Sequence, residues 1–465
     1  MRGSARARAP DAPARAPEAG RCVEPRRGVR RLAEHHPGAR LATRHREALV
    51  SLVGIAAKRI VTCDVARATP DNPLAVIEDA AVLYDEHSIS WVGPRDAAKD
   101  KAEITDFGDR VVTPGLIDAH THSAWAGSRH DEYALRMAGA DYRAIASAGG
   151  GILSTYRAVT QASEAGLATE LAARLRRMAE LGVTTIEVKS GYGLEPDGER
   201  KQLRAIARAR ADVSLPSVIA TYLALHALPE SARGSRDHYV LRAGTSMVQE
   251  VAQQKLAQFV DAYVDANAFS VDEARLVCDA AKRAGLGIRL HVGQFADIGG
   301  AQLCAEVGAR SADHLEHVDA AGIDALAKSG TLATLLPVAS FTLRQDPPPV
   351  AALREAGVGM VVASDANPGT APTESLPLAM ALSVPMYGLT PAEAILGATR
   401  NAAISLGLAG HGVSRPRGSL TSGARADLVV WDLPHELAIL QPWATPKTHL
   451  VLRKGQPIAG SAHRR

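Results

Sequence analysis

The chain has 465 residues, 46% of them apolar and 22% charged, the composition of an ordinary globular protein able to bury one large core or two domains. No apolar run approaches the roughly 20 residues of a membrane-spanning helix, and the four cysteines (Cys22, Cys63, Cys278 and Cys304) are scattered with no CxxC pair, which argues against a disulfide framework or zinc ribbon and for a reducing cytoplasmic setting. The net charge of +3 is uneven: residues 1–50 carry twelve arginines, no lysine and five acids, so the remaining body is slightly acidic and neither nucleic acid nor membrane is an expected partner.

Residues 1–50 are rich in Arg, Ala and Pro with little apolar periodicity and read as a disordered basic extension. An Arg-rich start can mimic an organellar transit peptide, but frequent proline and the lack of an amphipathic helix favour a dispensable extension. Residues 51–112 give short strand signals such as AVIEDAAVLYDEHSISWVG, and 413–465 give others (ARADLVVWDL, THLVLRKG). Both flanks hold turn residues and no long helix. They predict one small β-sandwich domain assembled from both chain ends.

Between them, residues 113–412 repeat a pattern of apolar run, polar loop and helical stretch. The runs are 111–122, 183–193, 217–228, 259–265, 286–295, 309–318, 331–341 and 358–369. Residues 164–182 and 271–285 show helical periodicity between them. Eight strands alternating with helices predict an α/β fold, a closed (β/α)8 TIM-type barrel. An open doubly wound sheet would gather polar residues at one switch point. Here they end at least six runs, as a barrel's catalytic face requires.

The first run, VVTPGLIDAHTH, ends in a His-x-His pair. On a strand, residues i and i+2 share a face, so His120 and His122 can aim two imidazoles at one point. His291 ends a later run and Asp365 ends the last. Three imidazoles and a carboxylate suit a divalent cation with one position left open. Zinc so held lowers the pKa of water from about 15.7 to roughly 7. Lys189, in EVKSGYG, has two open readings: a carbamylated bridge between two metals, helped by His226, or an ammonium paired to a carboxylate such as Glu187 or Asp365. His314 ends the sixth run and suits a proton shuttle, since histidine titrates near neutrality; His317 should face away. Arg129, on the loop after the first run, can grip a carboxylate with paired hydrogen bonds or simply be solvated. Tyr192 lies in a Gly-flanked turn, where a phenol can approach a ligand.

With these residues in place the chain resembles the amidohydrolase superfamily and, within it, the imidazolonepropionases of histidine degradation. PGLIDAHTH (114–122) marks only the superfamily. SAGGGILST (147–155), EVKSGYGL (187–194), SADHLEH (311–317) and SDANPGTAPTES (364–375) are more specific. The resemblance covers roughly residues 55–455 and implies a hydrolase that opens the cyclic amide of 4-imidazolone-5-propanoate to N-formimidoyl-L-glutamate. It implies one zinc or iron ion per subunit on His120, His122, His291 and Asp365, which argues against a carbamylated Lys189. It places substrate contacts on Arg129, Tyr192, His226, Gln294, Asn367, Gly369 and Thr370, and catalytic roles on His314, Asp365 and His226. His226 or His314 would donate to the oxyanion. The partner is then a small molecule with a carboxylate arm, and a homodimer is common for such a barrel. Two departures stand out. The family often has His-Ala-Asp-Glu or His-Ala-Asp-Gln where this chain has His291-Val292-Gly293-Gln294, and the Gln294 amide does not titrate, so it cannot be a general base. Asp265 stands where a glutamate is common.

Overall fold

The computed structural model describes residues 52–139, 150–410, 412–443 and 445–464. The expected basic extension, 1–50, lies outside them, as does part of the 147–155 motif.

The first five strands are β1 (Val53–Val61), β2 (Val76–Tyr84), β3 (Ile89–Pro94), β4 (Glu103–Asp106) and β5 (Val111–Pro114). They share one mixed eight-stranded sheet with three strands from the other chain end, Leu428–Trp431, Thr448–Arg453 and Gln456–Ala459. The expected small β domain from both chain ends is present as one continuously hydrogen-bonded sheet. Its core gathers Ile55, Val82, Val112, Val430 and Leu452 in a single apolar cluster.

The second sheet has eight parallel strands in chain order: β6 (Leu116–Asp118), β7 (Val183–Lys189), β8 (Ser217–Leu225), β9 (Phe259–Val264), β10 (Gly287–Val292), β11 (Ser311–His314), β12 (Leu332–Leu335) and β13 (Met360–Val362). Beyond the ends of β6 and β13 a parallel bridge pairs Thr121 with Ala366, and His122 N donates to Ala366 O at 3.0 Å, so the first and last strands meet at that mouth. This is the expected eight-stranded barrel.

The first run needs a correction. VVTPGLIDAHTH is two strands in two sheets. β5 pairs antiparallel with Leu428–Trp431, and β6 starts the barrel. Gly115 makes the switch because a Cβ there would collide with Thr184. An apolar alternation cannot reveal which sheet its residues join, since both faces are buried.

The helices have local causes. Helix α1 spans His130–Met137. In α2 (Glu164–Ala179) the Ser163 hydroxyl caps the start, accepting from Gly166 N at 3.0 Å. In α3 (Val271–Ala284) Ser270 and Glu273 form a capping box, and Gly285 stops the helix at φ +73°. Leu167, Leu171, Leu175 and Met178 of α2 are fully buried, the core-facing stripe that the periodicity predicts.

Candidate metal and substrate site

All the expected site residues lie at the C-terminal mouth of the barrel. His120 and His122 follow β6, and the extended ladder continues past its end. Asp365 N donates to His120 O and Lys189 N to Thr121 O, both at 3.0 Å. That ladder keeps the two imidazoles on one side. His291 lies in β10, His314 ends β11, and Asp365 lies just beyond β13. His314, Leu315 and Asp365 have φ of +84°, +73° and +54°. Such left-handed conformations are strained for non-glycine residues and persist where packing enforces them, commonly at functional sites.

Four side chains converge. His122 Nε2 is 3.2 Å from His291 Nε2 and 3.5 Å from Asp365 Oδ1, and His120 Nε2 is 3.4 Å from the same oxygen. Two nitrogens bonded at about 2.0–2.1 Å to one tetrahedral ion would sit about 3.3–3.4 Å apart. His120 Nε2 is fully buried and has no hydrogen-bond partner. Burial pushes His120, His122 and His291 well below the usual histidine range, and neighbouring cationic groups push the same way. The rings are therefore neutral, with lone pairs available. These residues fit a divalent cation. His120 and His291 also form a ligand-competent group with His314.

Below this cluster lies a layer of buried charge. His120 Nδ1 donates to Asp313 Oδ2 at 2.7 Å, and His291 Nδ1 lies 3.0 Å from Asp261 Oδ2. Lys189 Nζ sits 2.8 Å from both Glu187 and Asp261 and 3.9 Å from Asp313. Burial opposes the Lys189 charge, but the Asp261 and Glu187 carboxylates outweigh it and raise its pKa. The unmodified Lys189 thus pairs with Glu187 and Asp261 rather than with Asp365. Despite burial, Arg289 and Lys189 hold Asp313 below the usual carboxylate range. Carboxylate–histidine pairs of this kind fix ring orientation around metals.

The cleft above the cluster is lined by Arg129, Tyr192, His226, Tyr263, Gln294 and Thr370, among others. His226 Nδ1 meets the Gly191 carbonyl at 2.8 Å. A carbonyl only accepts, so Nδ1 carries the proton and Nε2 of the neutral ring is an acceptor. Burial lowers this pKa to about 4. At neutral pH the ring therefore accepts hydrogen bonds, unlike the oxyanion donor expected of it. Tyr263 donates its hydroxyl to Gln294 Oε1 at 2.9 Å, which leaves the Gln294 NH2 as a donor. His314 Nδ1 lies 3.6 Å from Glu316 Oε2. Burial opposes its protonation, but Glu316 together with the Asp365 and Asp313 carboxylates outweighs it and raises its pKa.

Two expected substrate contacts also bond within their own loop, although Asn367 still lines the cleft. Asn367 Oδ1 accepts from the backbone N–H of Gly369 and Thr370 at 2.8 and 2.7 Å, and its Nδ2 donates to Asp365 O at 2.7 Å. Gly369 O accepts from Arg136 at 2.9 Å. Asn367 thus shapes its own loop, and Gly369 carries no free backbone group. Asp265 accepts from Phe295 N at 2.8 Å and holds the loop that bears Gln294. His317 is exposed, as expected.

Sequence reasoning passed over Asp261, Asp313, Arg289 and Glu132. Three of them had a signal: a charge inside an apolar run, as in FVDAYVD, GIRLH and SADH. Such a charge is inconsistent with an ordinary apolar barrel interior.

The amidohydrolase family profile matches residues 111–458. An imidazolonepropionase of Caulobacter vibrioides is 47% identical over 369 residues, covering 78% of this chain and 90% of that protein. One of Paracoccus denitrificans is 44% identical over 364 residues, covering 77% and 89%. Among solved structures, a triazine hydrolase variant superposes with a TM-score of 0.65 at 15% identity over 88% of this chain and 95% of that one. An adenosine deaminase from Xanthomonas campestris with bound zinc gives 0.62 at 19% identity over 88% and 93%. These two structures carry the fold alone. The strand order, the histidine and aspartate cluster at the barrel mouth and the near-full-length relatives lead to one conclusion: the chain belongs to the imidazolonepropionase family of amidohydrolases.

Proposed function

We propose that this chain hydrolyses the cyclic amide of 4-imidazolone-5-propanoate to N-formimidoyl-L-glutamate, with one zinc or iron ion held by His120, His122, His291 and Asp365. The observation that carries the reading is the meeting of these four side chains beside a buried arginine, Arg129. A cation bound there supplies an acidified water and polarises a carbonyl oxygen.

The protein's own groups do the rest. Arg129 receives the propionate arm, and the Tyr192 phenol stands beside it, so that binding at the arm orients the ring. His226 Nε2 accepts a ring N–H, and the Gln294 amide donates to a ring acceptor. His314, with Glu316 behind it, carries the proton that reaches the departing ring nitrogen as the C–N bond breaks. A neutral ring would not call for the guanidinium, which sets this reading apart from a deaminase or neutral cyclic amidase of the same fold. Among the described residues no helix is long and apolar enough to cross a membrane.

The test is turnover of freshly prepared imidazolonepropanoate beside hydantoins and purines, with metal quantified in the same sample. Selective turnover of the imidazolone with about one ion per chain is expected. Full turnover by a metal-free sample would overturn the metal assignment.

A further inference from the structure

Glu132 takes no part in the hydrolysis proposed above, yet it is an acid only 9% exposed on α1. Its Oε2 accepts from Arg129 Nε at 2.8 Å and lies 2.6 Å from Arg129 Nη2. A guanidinium has two edges that can grip a carboxylate: a side edge of Nε and Nη2, and an end edge of Nη1 and Nη2. One Glu132 oxygen covers the side edge. The end edge remains: Nη2 is fully buried and ion-paired with Glu132 on its side edge, but its second N–H points along the end edge. A buried N–H with no acceptor in the protein calls for one from a ligand.

Gly369 closes the other side. A Cβ built there would overlap Arg129 Nη1. The glycine cannot drift away, because its N–H is bonded to Asn367 Oδ1 at 2.8 Å and its carbonyl to Arg136 at 2.9 Å. The guanidinium is thereby wedged between a carboxylate on α1 and the backbone of the loop after β13.

The geometry points to Glu132 as the positioning residue that turns the end edge of Arg129 toward a substrate carboxylate, with Gly369 supplying the gap that Nη1 occupies. The pair makes this part of the cleft selective for a planar, anionic arm over a neutral one. The inference rests on the reading of Arg129 as the propionate site.

The experiment uses the full, metal-loaded chain. It compares Glu132→Ala, Glu132→Gln, Arg129→Met and the double variant Glu132→Ala/Arg129→Met. The readouts are KM and kcat for imidazolonepropanoate, and inhibition by its uncharged propionamide analogue. Glu132→Ala should raise KM about tenfold to thirtyfold with kcat within about threefold, leave inhibition by the amide unchanged, and add nothing in the Arg129→Met background. Glu132→Gln, which keeps one acceptor oxygen, should fall between. Equal weakening of the amide, or additive losses in the double variant, would show a merely structural glutamate and overturn the inference while the Arg129 reading stands. An unchanged KM in Arg129→Met would instead sink that reading. If Glu132→Ala does not fold, Gly369→Ala decides: a raised KM with kcat retained supports the wedge, and an unchanged KM refutes it.

Discussion

His120 and Asp313 share a hydrogen bond of 2.7 Å with both side chains fully buried. It fixes the proton on Nδ1 and turns the Nε2 lone pair toward the point shared with His122, His291 and Asp365. Asp313→Asn removes the charge that holds this tautomer. Metal affinity should fall about 10- to 100-fold, read by competition with a calibrated chelator. Wild-type affinity in that variant would argue against an orienting role.

Lys189 is the cation among three buried carboxylates, Glu187, Asp261 and Asp313, with Arg289 the other buried positive charge beside them. Breaking a buried pair by removing one partner typically costs about 3–5 kcal/mol, because the remaining charge is stranded. Lys189→Met should therefore lose stability of that order in denaturant unfolding of the metal-free protein. A carbamylated lysine would instead show bicarbonate-dependent activity, which is not expected here.

His120→Ala and Asp365→Ala should each lose bound metal and turnover together. Chelation of the wild type should lower the melting temperature, since a ligand at a hundred times its dissociation constant stabilises by about 2.7 kcal/mol. Retention of one ion per chain in either variant would contradict the ligand assignment.

Glu199 supplies a pH test away from the metal cluster. Its Oε1 accepts from Leu194 N at 2.7 Å and its Oε2 from Gly191 N at 3.0 Å, so it holds the turn that bears Tyr192. Burial raises its pKa from 4.5 to about 6, although hydrogen bonds to Ser190 and to the turn oppose the rise. The folded pKa exceeds the unfolded one, so the native state binds this proton more tightly. The associated stability is present below about pH 4.5 and is lost as the pH rises through about 6, a change of about 2 kcal/mol. Glu199→Gln should remove that step from the stability-versus-pH curve between pH 4 and 7, and an unchanged curve would mean that Glu199 does not titrate there.

Much of the architecture was legible because it is written locally. The Leu167–Leu171–Leu175 stripe marks a helix face, and each barrel strand is an apolar run stopped by a polar residue. His120, His122, His291 and Asp365 stood out for that last reason. The split of 111–122 between two sheets was not legible, because β5 and β6 are both buried on both faces and only their partners differ. The use of Asn367 within its own loop and the acceptor state of His226 were also hidden. Each depends on hydrogen bonds to neighbours that residue type alone does not name.

Read alone, the sequence determined the alternation of elements, the barrel, the four converging ligand candidates and the arginine suited to a carboxylate. Those follow from periodicity and from the chemistry of side chains at chain positions. Only the tertiary structure decided which charges meet: Lys189 with Asp261 from a strand two places away, His120 with Asp313 from across the barrel, and Arg129 with Glu132 and Gly369. The physical reason is that pairing of buried charges depends on ångström-scale distance and strand register, such as His291 opposite Asp313, and register forms only when the barrel closes.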